Sequence, residues 1–339
     1  MAFSSNEKNA PKASLDDVAK ALGVSKSTVS RVLSGKGRIS EETRNKVMQC
    51  AADMNYQPNV IARGLAQSKT FNIGVVLPYE KDLGEIPFFQ NCLTGICETV
   101  SSMDYDVIVA MAAADDASQL GRIIRNRKVD GVILTRSVIN DPAVKLLKEN
   151  NIPFVLIGST SDDSVVQIDI DHESACSELT AYLLSRGCSR TALLLGSKSH
   201  NVNLSRYNGF VNAYEKSGKA FDASLVYDNL SGRRAVELAV GEIINKGCDC
   251  ILCGDDYICV RALSALKENR IAIPDEIKIA SFYNSPILQS YTPPVTAVNA
   301  DPFELGESAA RTVLSLINNG DVHENVFLSY ELSIKKSTL

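Results

Sequence analysis

Residues 14–33 read Ser-Leu-Asp-Asp-Val-Ala-Lys-Ala-Leu-Gly-Val-Ser-Lys-Ser-Thr-Val-Ser-Arg-Val-Leu. Ser14 can cap a helix, with Asp17 three residues on completing a weak capping box. Leu15, Val18, Ala19 and Leu22 recur at helical spacing and make one apolar face. Gly23 falls where a helix ends on a left-handed residue. Ser25 is placed to cap the next helix, with Val29, Val32 and Leu33 facing inward and Lys26, Ser27, Ser30 and Arg31 outward. A third helix is expected from a Ser40 cap, over 41–55, with Val47, Ala51 and Met54 as its stripe. Three short helices around a small core, two of them joined by a tight turn, make a helix-turn-helix head. The second helix of such a pair enters the major groove of DNA.

Charge is partitioned to match. The 339 residues carry a net charge of −5, yet residues 1–70 hold 11 Lys or Arg against 6 Asp or Glu, and the rest hold 24 against 34. A basic end on an acidic body suits a protein that touches nucleic acid at one end. Residues 1–13 are polar, lack the apolar core of a signal peptide and read as a disordered tail. No apolar run approaches the ~18 residues of a membrane span. The nine cysteines are an odd number without export, so reduced thiols in a cytoplasm are expected. Cys248, Cys250 and Cys253 cluster, but in an apolar run that reads as a buried strand. Alternation would send Cys248 and Cys250 to one face and Cys253 to the other. No second cluster completes a tetrahedral set, so neither metal nor cofactor is expected.

The stretch from Ser14 to Leu65 resembles the head of the LacI family of bacterial transcriptional regulators. The matching residues are Asp17-Val18-Ala19, Gly23-Val24-Ser25, Thr28 to Leu33, Thr43-Arg44, Tyr56-Gln57-Pro58-Asn59 and Ala62-Arg63-Gly64-Leu65. The resemblance implies that Lys26, Ser27 and Arg31 read base edges. Ser14, Thr28, Ser30, Lys36 and Asn59 would hold phosphates and set register; Arg38 and Arg44 could do either that or solvate a helix face. Pro58 would stop the third helix and Asn59 cap a short hinge helix. Leu65 matches the residue that wedges into the minor groove at the central base step, where unstacking is offset by contact on bent DNA. Ala66 stands where some members carry Lys.

From residue 71 onward, strand-like runs (73–77, 106–111, 131–134, 154–157, 192–195, 250–253, 277–282) alternate with helical ones (93–103, 178–186, 207–217, 233–245, 260–268). That alternation argues for parallel sheets covered by helices. The body resembles the family's sensor, a periplasmic-binding-protein-like pair of Rossmann-like subdomains joined by three crossovers. The resemblance places the crossovers near 168, 273 and 298, giving subdomains of 71–168 with 274–297 and of 169–273 with 298–339, after a head of 14–57 and a hinge of 58–70. Ligands bind at strand carboxyl ends in such a cleft. Pro87-Phe88-Phe89 resembles the aromatic wall, Arg206-Tyr207-Asn208-Gly209-Phe210 the ligand-binding Arg motif, and Gly254-Asp255-Asp256 the strand end whose Asp, aligned here with Asp256, contacts ligand. Thr292-Pro293-Pro294-Val295-Thr296 and Leu305-Gly306-Glu307 match later landmarks. The candidate effector contacts are Phe88, Phe89, His200, Arg206, Tyr227, Asp256 and Asn284. An aromatic wall with one Arg and one Asp suits a polyhydroxylated ring. His200 and Val202 replace polar contacts of purine-responsive relatives. Ser281-Phe282-Tyr283-Asn284 and Gly187-Cys188 also depart from the usual pattern.

The expected protein is a cytoplasmic homodimeric regulator, most simply a repressor of carbohydrate-metabolism genes. It would bind a near-palindromic double-stranded operator and respond to a small molecule, a sugar or sugar derivative. The chain carries no Leu heptad tail, so a dimer is expected. A protein corepressor or a non-sugar effector is the alternative. A free solute-binding protein or an enzyme fits less well, since no nucleophile elbow, Walker loop or metal set is present.

Overall fold

The computed structural model describes residues 13–33, 37–56, 60–79, 86–322 and 325–339. It divides into two compact units, 1–70 and 71–339.

In the first unit, α1 (Leu15–Leu22) is held by a reciprocal capping box between Ser14 and Asp17 and ends on Gly23 in the left-handed region. Helix α2 (Lys26–Leu33) begins where the Ser25 hydroxyl accepts from the Thr28 amide. Helix α3 (Glu41–Asp53) starts from Ser40. Val18, Ala19, Val29, Val32 and Val47 form the shared core. A two-turn helix follows, α4 (Val60–Gln67).

The second unit holds two sheets, each with six described strands. The first contains β1 (Asn72–Pro78), β2 (Asp106–Ala112), β3 (Gly131–Leu134), β4 (Phe154–Ile157), β5 (Gln167–Ile170) and the returning β11 (Asn325–Leu328), in the order β11-β5-β4-β3-β1-β2. All its pairings are parallel; Val75 faces Val109 on one side and Ile133 on the other. Alternation along β1 sends Ile73 and Val75 to one face and Val76 to the other. The first face packs on α5 (Pro87–Ser101) and α13 (Pro302–Ile317). The second packs on α6 (Ser118–Arg125) and α7 (Pro142–Glu149).

The second sheet repeats the plan. It contains β6 (Thr191–Leu194), β7 (Val226–Tyr227), β8 (Cys250–Cys253), β9 (Lys278–Ser281), β10 (Thr296–Asn299) and β12 (Glu331–Ser333), in the order β12-β10-β9-β8-β6-β7. Only β12 runs antiparallel to its neighbour among these pairings. Helices α8 (His172–Ser185) and α9 (Asn201–Lys216) cover one face, and α10 (Gly232–Asn245) and α11 (Asp256–Glu268) the other. A short helix, α12 (Pro286–Ser290), lies between β9 and β10. Apolar strands with helices on both faces are what a buried parallel sheet requires.

The subdomain boundaries differ from those expected. The segment expected to leave at 273 stays, because Cys250 pairs with Lys278 and β9 joins the second sheet. The stretch expected to stay with that sheet from 298 crosses back instead, since α13 packs on β3 and β4 and β11 pairs with β5. The crossings therefore lie at 170–172, 299–302 and 328–331. The apolar run at 277–282 announced a strand, but which sheet it joins is fixed by partners remote in sequence. The cysteine alternation is corrected in one place. Cys250 packs among α8 and α9, but Cys248, which precedes the strand, packs with Cys253 on the opposite face.

Candidate functional site

On the head, α2 presents Lys26, Ser27, Ser30 and Arg31 to solvent. The Thr28 hydroxyl is 2.8 Å from that of Ser25, and the Ser14 hydroxyl is turned onto Asp17 at 2.7 Å. Both groups thus serve the helix starts in this conformation. Lys36 and Asn59 lie outside the described residues, as does Pro58. Sequence reasoning missed Asp16. Its two oxygens lie 3.1 Å from the Lys20 and the Lys26 ammonium groups. Those two lysines hold its carboxyl below the usual carboxylate range. Leu65 on α4 is 86% exposed, an apolar side chain held out in water with no packing partner that accounts for it among the described residues.

The cleft of the second unit encloses a cavity of about 160 Å³ at the carboxyl ends of both sheets, the position that strand orders of this kind leave open. Its floor is made by two of the crossings, through Asp169, Ile170, His172 and Ala300. Phe88 and Phe89, in the first turn of α5, form an aromatic corner. Phe88 meets Phe89 edge-on at 5.3 Å and Tyr283, from beyond β9, at 5.7 Å.

The polar wall comes from the first two turns of α9 and the first turn of α11. Asn203 and Arg206 are 6% and 7% exposed and Asp256 is 2% exposed. The Asn203 side-chain oxygen, the Arg206 Nε and Asp256 Oδ1 have no hydrogen-bond partner among the described residues. Asp255 and Asp256 divide the work at the end of β8. Asp255 accepts from the Ile258 amide at 2.8 Å and caps α11. Asp256 lines the cavity with its Oδ1 unpartnered among the described residues, and burial, reinforced by the Asp255 charge, pushes its carboxyl up to about 6. His200 is pushed down to about 4 by burial and by the guanidinium groups of Arg136 and Arg206, so its ring is neutral over the working range. Across the floor, His172 Nε2 lies 3.2 Å from Asp169 Oδ1, and the Ser159 hydroxyl donates to Asp169 Oδ2 at 2.8 Å. Burial pushes the Asp169 carboxyl up, but His172 and the hydrogen bonds outweigh it and leave it below its ordinary value.

Of the expected effector contacts, Phe88, Phe89, His200, Arg206 and Asp256 line the cavity. Tyr227 does not: its hydroxyl lies 3.0 Å from the Lys246 ammonium and its ring packs on the α10–α11 side of the sheet. The register of β7 puts it on that face, since its neighbour Val226 packs on the other. Asn284 is not part of the lining either; its amide donates to the Asn299 side chain at 3.3 Å, while its neighbour Tyr283 faces the cavity. The sequence reading missed Arg136, Asp169, His172 and Asn203. The signal for the last was its placement one turn before Arg206 on the same helix face. Among the described residues no cluster of His, Cys, Asp and Glu could hold a metal ion, and no helix is long and apolar enough to cross a membrane.

Both units match one family. Residues 14–59 match the bacterial regulatory proteins of the lacI family, and residues 70–336 match the periplasmic binding proteins and sugar binding domain of the LacI family. The chain belongs to the LacI family and is a DNA-binding transcriptional regulator. It is 29% identical over 336 residues to the HTH-type transcriptional regulator RegA of Clostridium saccharobutylicum, covering 96% of this chain and 99% of the relative. It is 31% identical to the HTH-type transcriptional regulator MalR of Staphylococcus xylosus over 91% of this chain and 92% of that one. Among solved structures, the lac repressor dimer bound to operator and the anti-inducer ONPF superposes with a TM-score of 0.81 at 23% identity, over 96% of this chain and 99% of that one.

Proposed function

We propose that this protein is a homodimeric, cytoplasmic repressor of carbohydrate-metabolism genes whose operator affinity is set by a sugar or sugar derivative in the cleft. The observation that carries the effector reading is the set of buried, unpartnered groups on one wall: the Asn203 oxygen, Arg206 Nε and Asp256 Oδ1. Buried polar atoms are almost always satisfied, and leaving one unmade costs about 1–3 kcal/mol. Two acceptors and one donor on one side, an aromatic corner on the other, suit a ring with an apolar face and several hydroxyls. The cavity has room for roughly ten waters, the scale of one sugar ring. The family description of residues 70–336 as a sugar binding domain points the same way.

On the DNA side, Lys26, Ser27 and Arg31 are the proposed base readers, and Leu65 the minor-groove wedge. The protein's output is binding rather than turnover. Two measurements on the full chain test the reading. A panel of sugars, sugar phosphates and nucleosides should contain one compound that raises the melting temperature by several degrees, an effect lost in Asp256→Ala. No shift from any compound would overturn the small-molecule reading in favour of a protein corepressor. Arg31→Ala should lose operator binding while retaining salt-sensitive binding to scrambled duplex. Equal loss on both duplexes would remove Arg31 from the base readers.

A further inference from the structure

We propose that segments 137–139 and 199–201 form a main-chain clasp that fastens the two lips of the cleft and sets its open–closed balance, whatever the chemistry of the occupant. The Ile139 amide donates to the Ser199 carbonyl at 2.9 Å, and the Asn201 amide donates to the Ser137 carbonyl at 3.3 Å. Between them Val138 and His200 form an antiparallel bridge. One segment follows β3 in the first subdomain; the other follows β6 and opens α9 in the second. The contact is therefore a two-residue piece of sheet built from both halves.

Its position gives it leverage. The two halves are joined covalently by three crossings, and rotation about such crossings is how two-lobed sensors open. A hinge leaves its own residues in contact, whereas a hydrogen-bonded pairing between the lips has to break. The pairing is shielded on one side, where Val138 is 6% and Ser137 5% exposed, while Ile139 at its outer end is 47% exposed; burial of that side strengthens the Ser137 bond relative to one in water. Ser137 and His200 line the cavity, so two of the clasp's residues also face the occupant. Because the bonds are main-chain, the closing force does not depend on the identity of the lip side chains.

Asn201 offers a clean test. It is the first residue of α9, and the backbone of its cap, His200, is extended at φ −91° and ψ 122°. The amide of a first helical residue has no partner inside its helix, and proline is favoured there after an extended residue. Asn201→Pro thus deletes one bond of the clasp and keeps the helix. Amide hydrogen exchange is measured on the full chain without added ligand. The reporter is the Ile139 amide, which lies in the other subdomain. It should be protected in the parent and exchange roughly fivefold faster in Asn201→Pro, the effect of losing one net hydrogen bond. The reciprocal variant, Ile139→Pro, should accelerate the Asn201 amide in the same way and carries the test if the first variant does not fold. An unprotected Ile139 amide in the parent, or protection unchanged by the substitution across the cleft, overturns the clasp.

Discussion

Asp255 turns its carboxylate onto the Ile258 amide and closes the first turn of α11, while Asp256, one residue on, keeps an oxygen without a partner. Alignment of residue types picked Asp256 for the cleft, but it could not say that its neighbour would serve as the cap. That division depends on which side of the turn each side chain leaves. The arrangement has a cost in the free protein. Asp256 titrates near 6 when folded against an ordinary value of 3.8. The folded state thus binds this proton more tightly than the unfolded one. The stability it contributes is present below about pH 4 and lost as pH rises through 6. By about 1.4 kcal/mol per unit, the charged form costs up to roughly 3 kcal/mol at pH 7. His200 acts oppositely, being lowered from 6.5 to about 4: its contribution is present above pH 6.5 and lost as pH falls toward 4. The two offset each other in the parent. Single substitutions should expose them. Asp256→Asn should melt several degrees higher than the parent at pH 7, with the gain gone by pH 4. His200→Gln should instead gain relative to the parent as pH falls from 6.5 to 4. Thermal melts of the three proteins across that range decide it, and parallel pH profiles would refute the assignment.

At the scale of elements, the helix starts separate what was legible from what was not. Apolar periodicity announces helices from 93, 178, 207 and 260, yet the helices begin at Pro87, His172, Asn201 and Asp256. The missing turns are the ones that sit at strand carboxyl ends and carry Phe88, Phe89, His172, Asn203, Arg206 and Asp256 into the cavity. A turn that faces a polar cleft cannot show an apolar stripe, so periodicity fails where the site is built. Family motifs recovered Phe88, Arg206 and Asp256 but not His172 or Asn203, which lie outside those motifs. Head helices were legible because Ser14, Gly23 and Ser40 punctuate them chemically. Edge strands such as β7 and β12 are two or three residues long, too short for any period to register. Helix α9 also supplies a prediction. A Cβ at Gly209 would collide with the Glu173 carbonyl oxygen on α8 and come within 2.8 Å of the Cys176 Cβ. Gly209→Ala should therefore push α9 away from α8, costing about 1–3 kcal/mol and weakening effector binding, because Asn203 and Arg206 ride on that helix. Gly241, inside α10, has nothing within 4 Å of an added Cβ. The same change there should stabilise by about 0.5–1 kcal/mol through helix propensity alone. Urea unfolding of both variants checks the sign; a Gly209→Ala protein as stable as the parent would mean the two helices do not need that close approach.

Over the whole molecule, two compact units with separate cores carry opposite charge, net positive in residues 1–70 and net negative in 71–339. Attraction to any duplex then comes from the head, whose three helices are held by their own core and caps. The residues that line the cleft all belong to 71–339, so an effector there makes its contacts with that unit. It can alter DNA binding only by favouring one conformation of its own unit, and the coupling is bounded by its differential affinity for the two. The electrostatic, sequence-independent share of binding belongs to both conformations alike. The share that depends on operator sequence, which the proposed roles of Leu65 and Arg31 assign to those residues, is the one an effector would change. The compound that shifts the melting temperature should accordingly change operator affinity by about 5–150-fold, the usual range of allosteric coupling. It should leave affinity for a scrambled duplex of equal length within about twofold, with the same salt slope on the scrambled duplex. Fluorescence anisotropy on the two duplexes, with and without the compound and over a salt series, measures all of these. An equal change on both duplexes would place the effector's action on the head's basic surface itself, and no change on the operator would sever the cleft from DNA binding altogether.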